Sequence, residues 1–299
     1  MSLSGETIAV TGASGMIGAY ICRELLSQGA RVLGVVRNPQ KAAFLKKDGV
    51  EFRKADLLDK ASLVEAFKGA DVVVSNAALY SITNFDWQEN YQANKTGTAN
   101  VYEATSEAGI KRIIQISTIG LYQFNLTDVI YEDSPQVDGE NKEGGAYRAT
   151  KQISESLAWQ LADKLSLQMT SLRPSAVYGA RDSNFMPACY FMMKLPILPM
   201  PSVTWPIVHA ADVAQAVTGA ITNDKSIGEA YNTSGDDLSF LEFFESFKRA
   251  AGRGPLLVPI PVPLKIRISN DKAKRELGFS NRSFERGLSE ILAEEPDKL

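Results

Sequence analysis

Apolar and polar positions follow two different periods along the first half of the chain. Short β-branched runs predict five buried strands, at Thr7–Thr11, Arg31–Arg37, Val50–Asp56, Asp71–Ala78 and Arg112–Thr118. Segments with helical spacing lie between them, at Met16–Gln28, from Pro39 towards Gly49, after the predicted N-cap Asp59, and across Glu89–Ala108. Strands that alternate with helices predict right-handed crossovers and a doubly wound α/β fold with a parallel sheet, which binds ligands at the carboxyl ends of its strands.

The pattern changes after Tyr178. Two later segments, Asn184–Pro206 and Gly252–Ile266, are rich in proline and large apolar residues and have no clean period. Tyr231–Gly235 instead resembles a late strand of the main sheet. We therefore expect a main domain and a smaller, discontinuous C-terminal substrate lobe, the first over residues 1–178 with 207–235 returning to it, the second over 179–206 and 236–299.

The composition narrows the class of protein. Of 299 residues, 44% are apolar and 22% are charged, which is typical of a globular protein and argues against disorder. The net charge is −3 without a basic block, so we expect no nucleic-acid partner. No apolar run approaches the roughly 18 residues of a membrane span, and the start MSLSGE leaves no room for a signal peptide. We expect no membrane partner and a cytoplasmic location.

The chain has two cysteines, Cys22 and Cys189, and one histidine, His209. Because the cysteines lie far apart in apolar surroundings, we predict two free, buried thiols and a reducing compartment. No group of cysteine, histidine and carboxylate residues has metal-ligand spacing, so we expect no metal. Any zinc site or Ser-His-Asp triad would depend on His209 alone, for which we predict a structural role.

The segment VTGASGMIGAY (Val10–Tyr20) places Gly12, Gly15 and Gly18 between a predicted strand and a predicted helix. Glycine allows a positive φ and a close approach to the backbone, and the free N–H groups at a helix N-terminus bind phosphate. A tight structural turn would need the same glycines. The surrounding βαβ unit favours a dinucleotide site, and we predict a nicotinamide cofactor.

The second strand ends in Arg37, where a site selective for NAD usually has Asp or Glu. An arginine accommodates the 2′-phosphate of NADP, and Lys41 could add charge, so NADP is the predicted cofactor and NAD the alternative. A solvated strand-end arginine is the competing interpretation. Asp56, after the third strand, could bind the adenine or only cap its loop.

Four residues later in the chain carry candidate chemistry. Ser117 and Thr118 end the fifth strand, and GGAYRATK places Tyr147 and Lys151 four residues apart on one helix face. A lysine ammonium and a positive nicotinamide ring both favour the phenolate of a tyrosine, which then works as an acid/base. A hydroxyl from Thr118 would hold the substrate oxygen while Tyr147 moves its proton.

These motifs and their order resemble the extended short-chain dehydrogenase/reductase superfamily, which includes the NAD(P)-dependent epimerases and dehydratases. The resemblance covers nearly the whole chain and is carried by TGASGMIG, ADLLD, NAA, NKTGTANVYEA, STIGLY, Tyr147-x-x-x-Lys151, LRPSAVYG, VHAADVAQAV and KAKRELGF. VLGVVRNPQKAAFL and GADVVVSNAAL look like the dihydroflavonol-reductase and hydroxysteroid-dehydrogenase side of the superfamily.

The resemblance implies a Rossmann-type fold and a set of roles. Tyr147 would be the acid/base, Lys151 its partner and a ribose ligand, and Thr118 the catalytic hydroxyl, with Ser117 as the fallback. The implied cofactor contacts are Gly12, Ser14, Gly15, Met16, Ile17 and Gly18 at the turn, Arg37, Asp56 and Leu57 at the adenosine, Ala77 and Ala78 beside the ribose, and Pro174 and Val177 by the nicotinamide.

Several positions bear on the reaction. Ile119 and Gly120 stand where the sugar dehydratases carry Asp-Glu, which disfavours dehydration. Trp205 stands where nucleotide-sugar epimerases usually carry an arginine, so a diphosphate would be poorly paired. Asn184–Pro187 (NFMP) nevertheless resembles the phosphate-contacting segment of those epimerases. Apolar lobe residues could line an adaptable substrate pocket or form core; they are Phe185, Met186, Tyr190, Phe191, Met192, Met193 and Trp205.

Three hypotheses follow. The first is an NADP(H)-dependent oxidoreductase that reduces a small apolar ketone or aldehyde, or oxidises the alcohol, with Tyr147 as acid/base. The second is a nucleotide-sugar epimerase that keeps NAD bound. The third is a redox sensor that binds the cofactor without catalysis. By analogy with the superfamily we expect a homodimer, through the helices placed at Glu89–Ala108 and Tyr147–Asp163.

Overall fold

A computed structural model of the protein describes residues 2–78, 86–124, 128–235 and 237–298. Its strands are β1 (Thr7–Thr11), β2 (Arg31–Val36), β3 (Glu51–Lys54), β4 (Val72–Ser75), β5 (Arg112–Ile116), β6 (Val129–Ile130), β7 (Gln168–Pro174), β8 (Ala176–Tyr178), β9 (Ile197–His209), β10 (Ala230–Thr233), β11 (Asp237–Ser239), β12 (Leu256–Lys265) and β13 (Arg267–Ile268). Its α-helices are α1 (Met16–Ser27), α2 (Lys60–Phe67), α3 (Trp87–Tyr91), α4 (Gly97–Glu107), α5 (Gly145–Lys164), α6 (Phe185–Met192), α7 (Ala210–Thr222), α8 (Phe240–Ala251), α9 (Asp271–Leu277) and α10 (Phe284–Glu294).

Seven parallel strands form the main sheet, in the order β10-β7-β5-β4-β1-β2-β3. At its centre, Val10 of β1 pairs with Gly34 of β2 and with Val74 of β4. Helices α1 and α7 pack on one face, and α2, α4 and α5 pack on the other. The strand order reverses between β1 and β4, where open α/β sheets bind their ligands. The predicted doubly wound, Rossmann-type sheet is confirmed.

Two of the predicted helices differ in type. The segment that starts at Pro39 is a 3-10 helix, Pro39–Asp48, which ends at Gly49 with a φ of 99°. The single helix predicted over Glu89–Ala108 is interrupted by a π-helical segment, Gln92–Thr96, between α3 and α4. Asn94 is buried within this segment, and its amide donates to the Thr150 hydroxyl of α5 at 3.1 Å. Such π segments are frequent at functional sites.

Both cysteines are free and buried, as predicted. Burial raises the pKa of the Cys22 thiol and of the Cys189 thiol to about 12. A thiol that stays protonated is a weak nucleophile, so both side chains act as packing groups.

A second sheet, in the order β11-β9-β12, belongs to the C-terminal part of the chain. Phenylalanines of α8 and α10 pack beneath it, and the Phe243 and Phe284 rings lie 4.4 Å apart. β9 joins the two parts of the molecule: its first residues pair with β12, and Val208 near its end pairs with Val177 of β8. β10, which contains Tyr231, lies beside β7 in the main sheet.

His209 lies at this junction and caps α7. Its Nδ1 accepts the Ala211 N–H at 3.2 Å, and its ring stands edge-on between the rings of Tyr20 and Tyr178, 5.2 and 5.1 Å away. The side chain is 1% exposed. Burial, helped by the Arg282 guanidinium, lowers the pKa of His209 to about 4.

This pKa predicts a loss of stability in mild acid. The unfolded chain takes up a proton at His209 as the pH falls below about 6.5, whereas the folded chain resists it until about pH 4. The unfolded state therefore binds more protons in this window, and the free energy of unfolding should fall by about 2 kcal/mol between pH 7 and pH 5. Chemical denaturation at several pH values measures this.

His209→Asn is the matched control, because asparagine also caps helices but does not titrate. His209 is the only histidine of the chain, so the difference between the two pH profiles isolates one group. Parallel profiles for wild type and variant would contradict the prediction.

Candidate active site

The glycine turn between β1 and α1 forms a backbone cradle. Gly12 has a φ of 68°, and a Cβ built on it would lie 2.9 Å from the Cα of Ala77. A Cβ on Gly18 would lie 2.2 Å from the Gly12 carbonyl oxygen. Gly15 precedes the helix, and no side chain caps the N-terminus of α1. The first N–H groups of α1 thus remain available to a phosphate, so the turn fits a dinucleotide.

Thr11 joins the glycine turn to the end of β4, and the sequence did not single it out. Its hydroxyl accepts the N–H groups of Asn76 and Ala77, both at 3.0 Å. The Asn76 amide donates back to the Thr11 carbonyl at 3.2 Å. These bonds hold Ala77 against Gly12, with Ala78 following, beside the switch point of the sheet.

The residues predicted at the adenosine lie at the ends of the neighbouring strands. Arg37 is exposed directly after β2, and Lys41 is exposed in the 3-10 helix. One carboxylate oxygen of Asp56 accepts the Leu58 N–H at 2.9 Å, so the loop-capping role is present. The neighbouring Leu57 packs against Gly97 of α4, where a Cβ would lie 3.2 Å from its side chain.

The catalytic candidates lie on α5 and at the end of β5. Tyr147 is half-buried and Lys151 is 3% exposed, one turn later on the same face. The Lys151 ammonium donates to the Ile116 carbonyl at 3.0 Å, which ties α5 to β5. Burial lowers the pKa of Lys151 to about 8, although the nearby Glu155 carboxylate opposes this.

Residues 118–122, which follow β5 and are called here the Thr118 loop, are fixed to α5 by Arg148. Arg148 follows Tyr147 in the sequence. The Arg148 guanidinium donates to the carbonyls of Gly120 and Tyr122, at 2.7 and 2.6 Å. The Thr118 hydroxyl accepts the Gly120 N–H at 3.0 Å. A Cβ on Gly120 would touch both Thr118 Oγ1, at 3.3 Å, and Arg148 Cγ, at 3.5 Å. Thr118 is therefore held close to the helix that carries Tyr147.

A buried ionic network supports this arrangement, and the sequence analysis missed it. Arg173 of β7 donates to the Glu155 carboxylate, with an Nε–Oε1 distance of 2.9 Å, and to the Tyr122 hydroxyl at 2.6 Å. Tyr122 in turn donates to Asn232 of β10 at 2.8 Å. Burial alone would raise the pKa of Glu155, but the Arg173 guanidinium, together with hydrogen bonds from Ser117 and Trp159, lowers that pKa overall. Ser117 is buried beside this carboxylate.

The comparison with family models is decisive here. The model of the NAD dependent epimerase/dehydratase family matches residues 8–234, which include the glycine turn and the Tyr147 helix. The chain belongs to this family.

Curated members of the superfamily show what the chain resembles. It is 31% identical to cinnamoyl-CoA reductase 1 of Petunia hybrida over 192 residues, which are 60% of this chain and 56% of that protein. It is 24% identical to the decarboxylating sterol-4-alpha-carboxylate 3-dehydrogenase of Dictyostelium discoideum over 330 aligned positions, covering 96% of this chain and all of that protein. The chain thus spans about half the length of the first curated relatives it matches.

Solved structures share the fold. A UDP-glucose-4-epimerase from Stenotrophomonas maltophila, solved with bound NAD, superimposes with a TM-score of 0.85 at 21% identity, over 98% of this chain and 100% of that one. Among the residues described here, no helix combines the length and apolar character that a bilayer crossing requires. The same residues contain no group of three or more metal-ligating side chains.

The residues predicted to bind the substrate fall into two groups, one half-buried and one in the lobe core. Trp205 is half-buried, and its ring meets Phe124 edge-on at 5.3 Å, beside the Thr118 loop. Asn184 and Phe185 are half-buried at the start of α6. Met186, in contrast, is 1% exposed within the lobe core, so its side chain packs rather than lines a pocket.

The other apolar lobe residues also differ in their exposure to solvent. Tyr190 and Met193 belong to the lobe core, whereas Phe191 is 66% exposed. Pro174 is buried at the end of β7, and Val177 packs against the main core in the strand pairing with β9.

Proposed function

We propose that the protein is an NADP(H)-dependent oxidoreductase that reduces an apolar ketone or aldehyde, or oxidises the corresponding alcohol. The observation that carries this proposal is the apolar wall beside the catalytic hydroxyl. The half-buried rings of Trp205 and Phe124 meet there, over a buried cluster that contains Ile119 and Leu121. The neighbouring cation, Arg148, is already bonded to two backbone carbonyls, so it is a poor partner for a diphosphate.

The chemistry assigned to each residue follows from its contacts. The nicotinamide, when bound, supplies or accepts the hydride. The Thr118 oxygen accepts the Gly120 N–H, which leaves its hydroxyl hydrogen to bind the substrate oxygen. Tyr147 gives its phenolic proton to that oxygen during reduction and takes it back during oxidation. Lys151 favours the phenolate, and its ammonium is held by the Ile116 carbonyl.

Two relatives support an oxidoreductase by name, the cinnamoyl-CoA reductase and the sterol-4-alpha-carboxylate 3-dehydrogenase. The second candidate is a nucleotide-sugar epimerase. The Asn184–Pro187 segment favours it, since it resembles the phosphate-contacting segment of the epimerases and its Asn184 is only half-buried at the start of α6.

Cofactor consumption separates the two functions. The purified protein is mixed with NADPH and either a panel of aryl aldehydes and steroid ketones or a panel of UDP- and dTDP-sugars. We expect net NADPH oxidation with a member of the carbonyl panel. Interconversion of a nucleotide sugar, without net oxidation or reduction of the cofactor, would establish the epimerase instead.

The proposed preference for NADP depends on Arg37. Replacing Arg37 by aspartate removes a charge-assisted bond to the 2′-phosphate and adds a like charge, so the Kd for NADP⁺ should rise at least about tenfold while that for NAD⁺ falls or stays unchanged. Isothermal titration with both cofactors measures this. Lys47→Asp, at an exposed lysine of the same 3-10 helix, is the control for net charge. An equal rise in the Kd for NADP⁺ in the two variants would show that Arg37 does not bind the 2′-phosphate.

A further inference from the structure

One face of the second sheet, β11-β9-β12, is apolar and exposed to solvent. On β12, Leu256 is 59% exposed, Val258 41% and Ile260 40%. Their partners on β9 are Ile197, Pro199 and Pro201, and directly paired residues point to the same face. Ile197 is 55% exposed. We call this surface, formed by Leu256, Val258, Ile260 and Leu264 of β12 and by Ile197, Pro199 and Pro201 of β9, the outer face.

The opposite face of the same two strands already packs on the lobe core. Leu198 and Met200 of β9 are buried there, and Leu257 packs against them from β12. A sheet with one face on the core usually has a polar second face. The outer face is apolar instead, and an exposed apolar surface of this kind indicates a binding surface.

The free edge of β12 has few hydrogen-bond donors. The Leu256 N–H bonds to the Pro196 carbonyl of the β9 side at 2.9 Å, so alternate residues from Leu257 onwards turn their backbone outwards. The next of these are Pro259 and Pro261, which have no N–H. The missing donors disfavour the pairing of a second strand with this edge.

Basic residues are concentrated in the segments before and after β12. Residues 248–270 contain Lys248, Arg249, Arg253, Lys265 and Arg267 and no aspartate or glutamate, in a chain of net charge −3. All five are exposed, three before β12 and two at or after its end. Arg249 also pairs with Glu285, at 3.1 Å. Lys248 donates to the Pro255 carbonyl at 3.0 Å, and Arg253 lies beside Leu256, so two cations border the first end of the outer face, with Glu245 near them. Lys265 pairs with Thr204 and therefore points to the opposite face of the sheet.

We propose that the outer face docks the protein on an anionic lipid surface, with its aliphatic side chains at the boundary between headgroups and acyl chains and the flanking cations on the headgroups. A second copy of the chain fits less well, because two such faces would oppose like charges. Protein partners are usually anchored by aromatic residues, and the outer face has none. The absence of an apolar run long enough to cross a membrane argued against a membrane span. It does not bear on docking at a membrane surface.

The docking surface leads towards the candidate active site. After β12 the chain continues into Ile266, which packs with Leu121 and Tyr122 of the Thr118 loop. Trp205 contacts the same cluster. The outer face is therefore joined through the chain to the cluster that packs behind the Thr118 loop. The docking proposal does not depend on the proposed reaction.

Vesicle co-sedimentation of the full chain tests the proposal. One set of vesicles is phosphatidylcholine alone, and the other is phosphatidylcholine with phosphatidylserine at about two to one. We expect binding to the anionic vesicles, weakened about tenfold in Val258→Ser/Ile260→Ser and about fivefold or more in Arg253→Glu. The controls are Leu58→Ser, which changes a leucine 53% exposed on the main domain, and Lys111→Glu, at an exposed lysine before β5.

Thermal melts show whether each variant folds, and exposed substitutions of this kind should change stability little. Three results would overturn the proposal: no binding of wild type to anionic vesicles, equal weakening by the control variants, or a concentration-dependent dimer that Val258→Ser/Ile260→Ser abolishes. The last would make the outer face an interface between two copies.

Discussion

Tyr147→Phe is expected to lower kcat on the order of 10²- to 10⁴-fold and to leave the Kd of the cofactor nearly unchanged. The substitution removes the hydroxyl that moves the proton but keeps the ring, which is half-buried on α5. Steady-state kinetics with the substrate found in the carbonyl panel measure kcat, and isothermal titration measures cofactor binding.

Tyr131→Phe is the matched control, since it removes a hydroxyl from a tyrosine that is 51% exposed. A Tyr147→Phe variant with a kcat close to wild type would remove Tyr147 from the proton transfer. A variant that loses both turnover and cofactor binding would show that the hydroxyl acts chiefly in holding the cofactor.

Glu155→Gln is expected to lower the free energy of unfolding by about 3–5 kcal/mol. The side chains of Glu155 and Arg173 are 3% and 5% exposed, so the variant leaves a guanidinium charge buried without its counter-ion. Chemical denaturation measures the loss. Glu65→Gln is the control, because its ion pair with Lys68 is exposed and should contribute less than about 1 kcal/mol.

The double variant Glu155→Gln/Arg173→Met separates the charge from the packing. Removing both charges should recover much of the stability lost in the single variant, since neither partner is then left unpaired. A Glu155→Gln variant as stable as Glu65→Gln would show that the network is not a source of stability. Activity is a second readout, because Glu155 lies one turn from Lys151 on α5.

Local patterns in the sequence were sufficient for the main sheet. The β-branched runs and the glycines at positions 12, 15 and 18 determine strands and a turn through short-range sterics, so β1 and the start of α1 lie where they were predicted and β2 ends one residue earlier, at Val36. The spacing of Tyr147 and Lys151 also placed both on one helix face, because four residues make about one turn.

Contacts between distant residues were beyond such patterns. Arg173 reaches Glu155 and Tyr122 across separations of 18 and 51 residues, and Arg148 reaches Gly120 across 28. Neither arginine differs in sequence from a solvated one. The spacing of Glu155, four residues after Lys151, was the available signal, but it is equally common on exposed helices.

The lobe shows most clearly what each level determined. Its proline- and methionine-rich segments have no period, so local patterns indicated only a second, apolar unit beside a dinucleotide fold. The tertiary structure decided that Met186 is core and that Val258 and Ile260 are exposed. The reason is physical: an apolar side chain favours burial at any position, and only the packing of the other elements determines which of them leave water.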